Sequence, residues 1–300
     1  MKDIDITAKW ISDKMNFSLM AEVVSWPSPG LVSPIDSGCH KDMDVYTFIN
    51  SSIALSDYFY LAAKKGIDYG LKKKVSNLFH SLQQLGLEAE TNMFQMTNGI
   101  NTHKGMIFHG ILMCAAAGIT YVRDRSLEPE HIRSYISEIV EKDISKQFEY
   151  AVECSYDKLT TGLKAYCKYG LKGIRGEAIT GYKSIFEAGL PALKDAMLKD
   201  VGQRKAIIHT LLVLMSRTED TTLLNREFNI SRIEYVRNYA QNVLNNGSIF
   251  SINGQIQLKQ MCQDFKEKSL SPGGSADLTC VTLALYLWDS GYTERSDYFE

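Results

Sequence analysis

Apolar side chains along this chain recur at intervals of three and four residues. Val45, Phe48, Ile49, Ile53, Tyr58, Phe59 and Ala62 follow that spacing, which places them on one face of a helix. The spacing predicts a helix from about Asp44 to Lys65. Similar patterns predict helices over Ile6 to Val24, Tyr69 to Met96, Lys104 to Gly118, Pro129 to Tyr169, Glu177 to Leu198, Arg204 to Arg217, Ile230 to Leu244, Gln255 to Lys268 and Ser275 to Ser290. Convincing alternating strands are absent. The strongest breakers, Pro27 to Gly30, Asn98 to Gly99, Gly170 to Gly176 and Pro272 to Gly274, fall between the helical patterns. The segment from Glu128 to Tyr169 is long and charged, which suits a partly solvated helix or helical pair. With no internal repeat or low-complexity linker, residues 1–300 read as one all-α, globular, multi-helix domain.

Composition narrows the partners. At 300 residues and 45% hydrophobic content the chain is long enough for a sizeable core. Lys and Arg total 33 against 35 Asp and Glu. This balance gives no broad electrostatic reason to expect a nucleic acid or a membrane, so any anion site must be local. The six cysteines, Cys39, Cys114, Cys154, Cys167, Cys262 and Cys280, form no C-x-x-C pair. Free thiols in a reducing, cytoplasmic compartment are expected. Met1 to Trp10 is charged and mixed, unlike a secretory signal. The longest apolar stretches, Met106 to Ile119, Ala206 to Met215 and Val281 to Trp288, are shorter than the roughly 20 residues that span a bilayer, and read as buried core helices.

Chemistry-bearing side chains gather at the breaks. His40-Lys41-Asp42-Met43-Asp44 sets carboxylates and an imidazole before a helix. Asp42 and Asp44 suit magnesium on a triphosphate, and Asp44 equally suits a helix cap. Asn98-Gly99-Ile100-Asn101-Thr102-His103-Lys104-Gly105 precedes an apolar helix. Its amide, hydroxyl, imidazole and ammonium groups can meet a phosphate or ribose, or simply form a turn and cap. His109, inside that helix, reads as a satisfied core histidine.

Gly170-Leu171-Lys172-Gly173-Ile174-Arg175-Gly176-Glu177 permits close backbone approach, with Arg175 able to fork onto phosphate oxygens, or serves as a flexible connector. Glu177 is either a first-turn carboxylate or a proton-transfer group. Leu270-Ser271-Pro272-Gly273-Gly274-Ser275-Ala276-Asp277 looks like a glycine turn feeding a helix whose free amides would cradle phosphate, with Ser275 also a good cap. Glu22, Glu88, Glu90 and Asp220 each read, taken alone, as solvated or capping residues. No G-x-x-x-x-G-K-[ST] and no strand-borne G-x-G-x-x-G occurs, so a P-loop and a Rossmann unit are unsupported. A nucleotide, if bound, sits on helix-end loops.

Pro29-Gly30-Leu31-Val32, His40 with Asp42-Met43, Glu90 with Met93, Asn101-Thr102-His103-Lys104-Gly105, Gly173-Ile174-Arg175-Gly176-Glu177-Ala178, Asp220-Thr221 and Ser271-Pro272-Gly273-Gly274-Ser275-Ala276-Asp277-Leu278 together resemble the triphosphoribosyl-dephospho-CoA synthase family. Their order and spacing match from about Glu22 to Leu287. Ser28, Ser33 and Thr222 depart from the common pattern, and Asn225-Arg226-Glu227-Phe228 replaces a glycine-rich stretch, which leaves Arg226 little weight as a site residue.

The resemblance implies an all-α pentosyltransferase that moves the 5-triphosphoribosyl group of ATP to the ribose 2′-hydroxyl of 3′-dephospho-CoA and releases adenine. Its product would pass to a separate transferase that loads the acyl carrier of citrate lyase or malonate decarboxylase. Nucleic acid and membrane are not expected partners, and a homodimer is compatible with the pattern. On that reading Glu90 and Glu177 are the catalytic carboxylates. Lys104, Arg175 and the Gly273, Gly274 and Ser275 amides hold the triphosphate, with Asn101, Thr102, His103 and Ser271 nearby. Asp42, Asp44 and Asp277 hold magnesium. The rivals are a helical ATP-dependent phosphotransferase and a noncatalytic nucleotide-binding module.

Overall fold

The computed structural model describes residues 2–72 and 78–296. Among them it contains twelve α-helices and no strand, so the all-α expectation holds. In order these are α1 Lys2–Val23, α2 Val45–Leu71, α3 Leu78–Met96, α4 Lys104–Asp124, α5 Pro129–Glu153, α6 Thr161–Tyr169, α7 Gly173–Ile179, α8 Leu190–Leu198, α9 Gln203–Met215, α10 Ser231–Asn245, α11 Ile252–Glu267 and α12 Gly273–Ser296.

Most predicted helices fall within a few residues of these bounds, and the charged Glu128–Tyr169 segment is the helical pair α5 and α6. Three expectations need correction. The run from Tyr69 to Met96 covers the end of α2 and the whole of α3, with residues 73–77 outside the described residues. Glu177 does not begin a long helix. It lies in the short α7, and a π turn at Ile185–Gly189 leads into α8. The Gly173–Gly176 stretch is that short helix itself, not a loop before one.

The core is organised around α4. Residues Met106, Ile107 and His109 through Tyr121 are buried on every side of this helix, the pattern of a fully enclosed helix. At 21 residues it is long and apolar enough to cross a membrane, which corrects the sequence-based length estimate, yet 83% of its most apolar window is buried inside the protein. It serves as a core helix. Alpha2 packs closely along it because Gly66 has no side chain: a Cβ there would lie 2.0 Å from the Ala115 carbonyl oxygen.

Alpha1 and α12 close one side of α4 and are tied by the buried Trp288 indole, which donates to the Ile11 carbonyl at 3.1 Å. A second apolar cluster is built by α9, α10 and α11, with Leu211, Val236 and Phe265 among its buried members. All six cysteines are free thiols, as expected. The polar segments between helices gather where the heads of α4, α7 and α12 meet the segment that follows α1.

Candidate active site

A cavity of about 710 Å³ opens at this junction, within the size range of ligand sites, roughly 300–1,000 Å³. One wall is apolar, from Phe79, Leu82, Phe108 and Ile111. The lining also carries Lys104, Lys172, Arg175 and Arg226, together with three carboxyl groups, Glu22, Glu90 and Asp277.

The N-T-H-K-G segment supplies one side. Asn101 Oδ1 accepts from the Lys104 backbone N–H at 3.3 Å, so this amide acts as the turn-and-cap group. Thr102 donates through Oγ1 to Ser51 Oγ at 2.7 Å, and Ser51 Oγ pairs with His103 Nδ1 at 2.6 Å. His103 is buried, and burial pulls its imidazole down to about 4. It is a neutral group near pH 7. Lys104 pairs with Glu90, reaching across from α3 at the cavity edge. Glu90 therefore holds an ammonium rather than standing free. One helical turn before His109, Gly105 packs so closely on α12 that a Cβ would lie 2.2 Å from Asp277 Oδ2.

The G-I-R-G-E-A helix divides its two charged residues. Arg175 lines the large cavity, and its Nε donates to Gln147 Oε1 at 2.8 Å. Burial lowers its guanidinium from the ordinary value. Glu177, two residues on, lines a second cavity of about 560 Å³. A two-residue step turns a helix by about 200°, which sends the side chains to opposite sides. Glu177 accepts from the Ser184 hydroxyl and from the Ser184 backbone N–H at 3.2 Å. Burial raises its carboxyl above the ordinary range, and the two Ser184 bonds oppose that shift. Glu90 and Glu177 are thus not brought together. The two cavities share a wall of Lys172, Ile174 and Thr221.

The second cavity also reaches His109 and is bordered by Lys183, Arg217 and Arg237. His109 Nδ1 pairs with the Tyr182 hydroxyl at 2.7 Å, and Nε2 is buried without a partner. The expectation of a satisfied core histidine holds for one nitrogen only. Burial keeps the ring neutral, and the side on which it carries its proton sets whether Nδ1 accepts from the Tyr182 hydroxyl or donates to it.

The head of α12 differs from the expected phosphate cradle. The Asp220 carboxylate already occupies its amides: Oδ1 accepts from Gly274 N–H at 3.2 Å, and Oδ2 accepts from Ser275 N–H at 2.8 Å and from the Ser275 hydroxyl at 2.9 Å. Ser275 is fully buried and lines neither cavity, so its N–H and hydroxyl are structural; the Gly274 N–H is also held by Asp220, while Gly274 itself lines the second cavity. Gly273 and Ser271 still line the large cavity, with Ser271 Oγ 3.0 Å from His40 Nε2.

The three proposed magnesium ligands do not form a metal cage. Asp44 caps α2 in a capping box with Thr47, whose N–H and hydroxyl both reach Asp44 Oδ1 at 2.9 Å. Asp42 is exposed, and Asp277 alone of the three lines the cavity. Among the described residues no group of three His, Cys, Asp or Glu side chains is arranged to hold a metal ion.

Glu22 and Arg226 also line the large cavity, beyond the residues given a role from sequence. Glu22 is buried instead of solvated, and burial pushes its carboxyl up to about 7. Its only sequence signal is its place beside the Pro29-Gly30-Leu31-Val32 element. Arg226 donates to the Cys39 carbonyl at 3.1 Å and lies 3.2 Å from His40 Nδ1 at the rim. No local pattern marks it.

The profile of a family described as ATP:dephospho-CoA triphosphoribosyl transferase matches residues 8–296. The chain is 34% identical over 269 residues to a probable 2-(5''-triphosphoribosyl)-3'-dephosphocoenzyme-A synthase of Vibrio cholerae, covering 90% of this chain and 85% of that one. It is 32% identical over 276 residues to the 2-(5''-triphosphoribosyl)-3'-dephosphocoenzyme-A synthase of Pectobacterium atrosepticum, covering 92% and 88%. A probable synthase of Malonomonas rubra is 29% identical over 287 residues, covering 95% and 89%. No solved structure matches. A match over nearly the whole length, with the family's motifs converging on two adjoining cavities, makes this chain a member of the ATP:dephospho-CoA triphosphoribosyl transferase family.

Proposed function

We propose that this chain transfers the 5-triphosphoribosyl group of ATP to the ribose 2′-hydroxyl of 3′-dephospho-CoA, releasing adenine. The observation that carries the reading is the pair of ligand-sized cavities with a common wall, because the reaction must hold two large nucleotides side by side. Family membership agrees with it.

In this reading Lys104, Arg175 and Arg226 hold triphosphate oxygens at the rim of the large cavity, with Glu90 orienting the Lys104 ammonium. Asn101, Thr102 and His103 shape the turn beside them, and neutral His103 offers a hydrogen bond without competing for the proton. The acceptor ribose approaches from the second cavity, where Glu177, its basicity raised by burial, takes the hydroxyl proton. Breaking the bond between adenine and ribose builds positive charge on the sugar, which Glu90, paired with Lys104 on the wall of the large cavity, stabilises.

Magnesium enters as the counter-ion of the triphosphate and so as part of the substrate; no step is assigned to a resident metal. We place the reaction in the cytoplasm, with the product passed to a separate acyl-carrier transferase. Mass spectrometry of purified protein incubated with ATP, magnesium and dephospho-CoA tests the reading. Free adenine together with a triphosphoribosylated CoA adduct is expected. ADP in place of adenine would replace it with a phosphotransferase, and binding without consumption of ATP would replace it with a binding module.

A further inference from the structure

Glu22 stands on the last turn of α1, 8% exposed, with its carboxyl lining the large cavity. Among the described residues it has neither an ion-pair nor a hydrogen-bond partner, and burial alone perturbs it. Among these residues the side-chain atoms that are fully buried without a partner are Asn16 Oδ1 and His109 Nε2, so the Glu22 oxygens open onto the cavity and meet what enters it. Alpha12 presents Asp277 and Cys280, both of which feel the Glu22 charge. The head of α4 contributes the buried His103, Lys104 and Gly105 to the same cavity, and α2 contributes Phe48.

No ion pair holds Glu22, and burial raises its carboxyl; the neighbouring Asp277 is raised further, by its own burial and by the charges of Asp220 and Glu22. Glu22 therefore retains a proton in the range where solvent-exposed carboxyls have lost theirs.

We propose that Glu22 is the catalytic acid that protonates the departing adenine, an assignment that rests on the triphosphoribosyl transfer proposed above. The bond from the ribose anomeric carbon to adenine breaks, and its electron pair goes to the base. The Glu22 proton goes to a ring nitrogen, so adenine leaves neutral. The 2′-oxygen of the acceptor supplies the pair for the new carbon–oxygen bond, and its proton passes to the Glu177 carboxylate. Glu22 is then reprotonated and Glu177 deprotonated by solvent, which returns both groups to their starting states with no oxidant or reductant consumed.

The test compares intact protein with Glu22→Gln, a near-isosteric change that cannot donate an acidic proton. Adenine release is followed across pH from ATP and from 2-fluoro-ATP, whose base is less basic and leaves with less help. For ATP, kcat is expected to fall about 10²–10⁴-fold in the variant, with both KM values within about threefold of the parent. With 2-fluoro-ATP the deficit is expected to be at least about tenfold smaller, in keeping with general-acid behaviour. The parent's loss of kcat above about pH 7 is expected to disappear in the variant, as it follows the Glu22 proton.

A variant kcat within about threefold of the parent, or an equal deficit for both nucleotides with the alkaline limb retained, would overturn the assignment. If the variant does not fold, the parent decides alone: its alkaline loss must be shallower with 2-fluoro-ATP, and identical limbs refute Glu22. Parent protein that binds ATP and releases no adenine refutes the transfer itself, and the missing product distinguishes that failure from one of Glu22.

Discussion

Asp220 Oδ2 accepts from both the backbone N–H and the hydroxyl of Ser275, at 2.8 and 2.9 Å, across 55 residues of sequence. A buried carboxylate thus caps α12 where a ligand phosphate was expected. Hydrogen bonds to a charged group contribute about 1.5–3 kcal/mol each before the favourable helix dipole is added. Asp220→Ala is therefore expected to lower the free energy of unfolding by roughly 2–4 kcal/mol, the cost of leaving buried donors unpaired. Urea denaturation followed by circular dichroism measures it, and a loss below about 0.5 kcal/mol would remove Asp220 as the cap of α12.

Lys104 and Glu90 form an exposed pair, with side-chain exposures of 56% and 24%. Such pairs contribute about 0–1 kcal/mol to stability. The ammonium matters instead for anion binding. Lys104→Ala is expected to leave the melting temperature nearly unchanged while weakening ATP binding about 10- to 100-fold, as loss of a charge-assisted contact does. Calorimetric titration with ATP checks this, and undiminished affinity would move the triphosphate elsewhere.

Arg175 and Glu177 share a short helix and face different cavities, so their substitutions should separate. Arg175→Ala is expected to weaken nucleotide binding by about one to two orders of magnitude. Glu177→Gln is expected to leave ATP affinity intact and to reduce transfer by about 10²-fold or more, the typical worth of a general base. Equilibrium binding and single-turnover rates on the same two variants distinguish them. Near-normal turnover of Glu177→Gln would remove that carboxylate from the chemistry.

Glu22 also predicts a pH-dependent stability. Its folded carboxyl is raised to about 7 from the ordinary 4.5, so the folded state holds the proton more tightly than the unfolded chain does. That contribution is fully present below pH 4.5 and is lost as pH rises to about 7. Glu22→Gln carries no such group and escapes the loss. Its advantage over the parent should be small at pH 4.5, grow through pH 7 and level off on the order of 3 kcal/mol. Thermal melts of both proteins from acid to mildly alkaline buffer measure the gap. A gap that does not change with pH would mean that Glu22 ionises as an exposed carboxyl does.

Helices were legible because their signal is local. The three- and four-residue spacing around Phe48, Ile49 and Phe59 gives α2 directly, and the same spacing gives most of the others, since a helix face is a property of neighbouring residues. The breakers located the polar loops for the same reason, and the order of the N-T-H-K-G, G-I-R-G-E-A and S-P-G-G-S-A-D elements carried the family.

Tertiary packing decided what those loops do. Whether the amides of Gly274 and Ser275 are free depends on Asp220, 54 and 55 residues away, and no local pattern records that approach. Arg175 and Glu177 look like one constellation in sequence, but the short helix between them turns them into two cavities. Glu22 reads as a solvated carboxylate until α1, α4 and α12 close around it. Composition and periodicity determine which segments are helical and which are polar. Which polar groups lose water, and which partner they then meet, is set only when distant helices pack, because desolvation and distance are properties of the assembled chain.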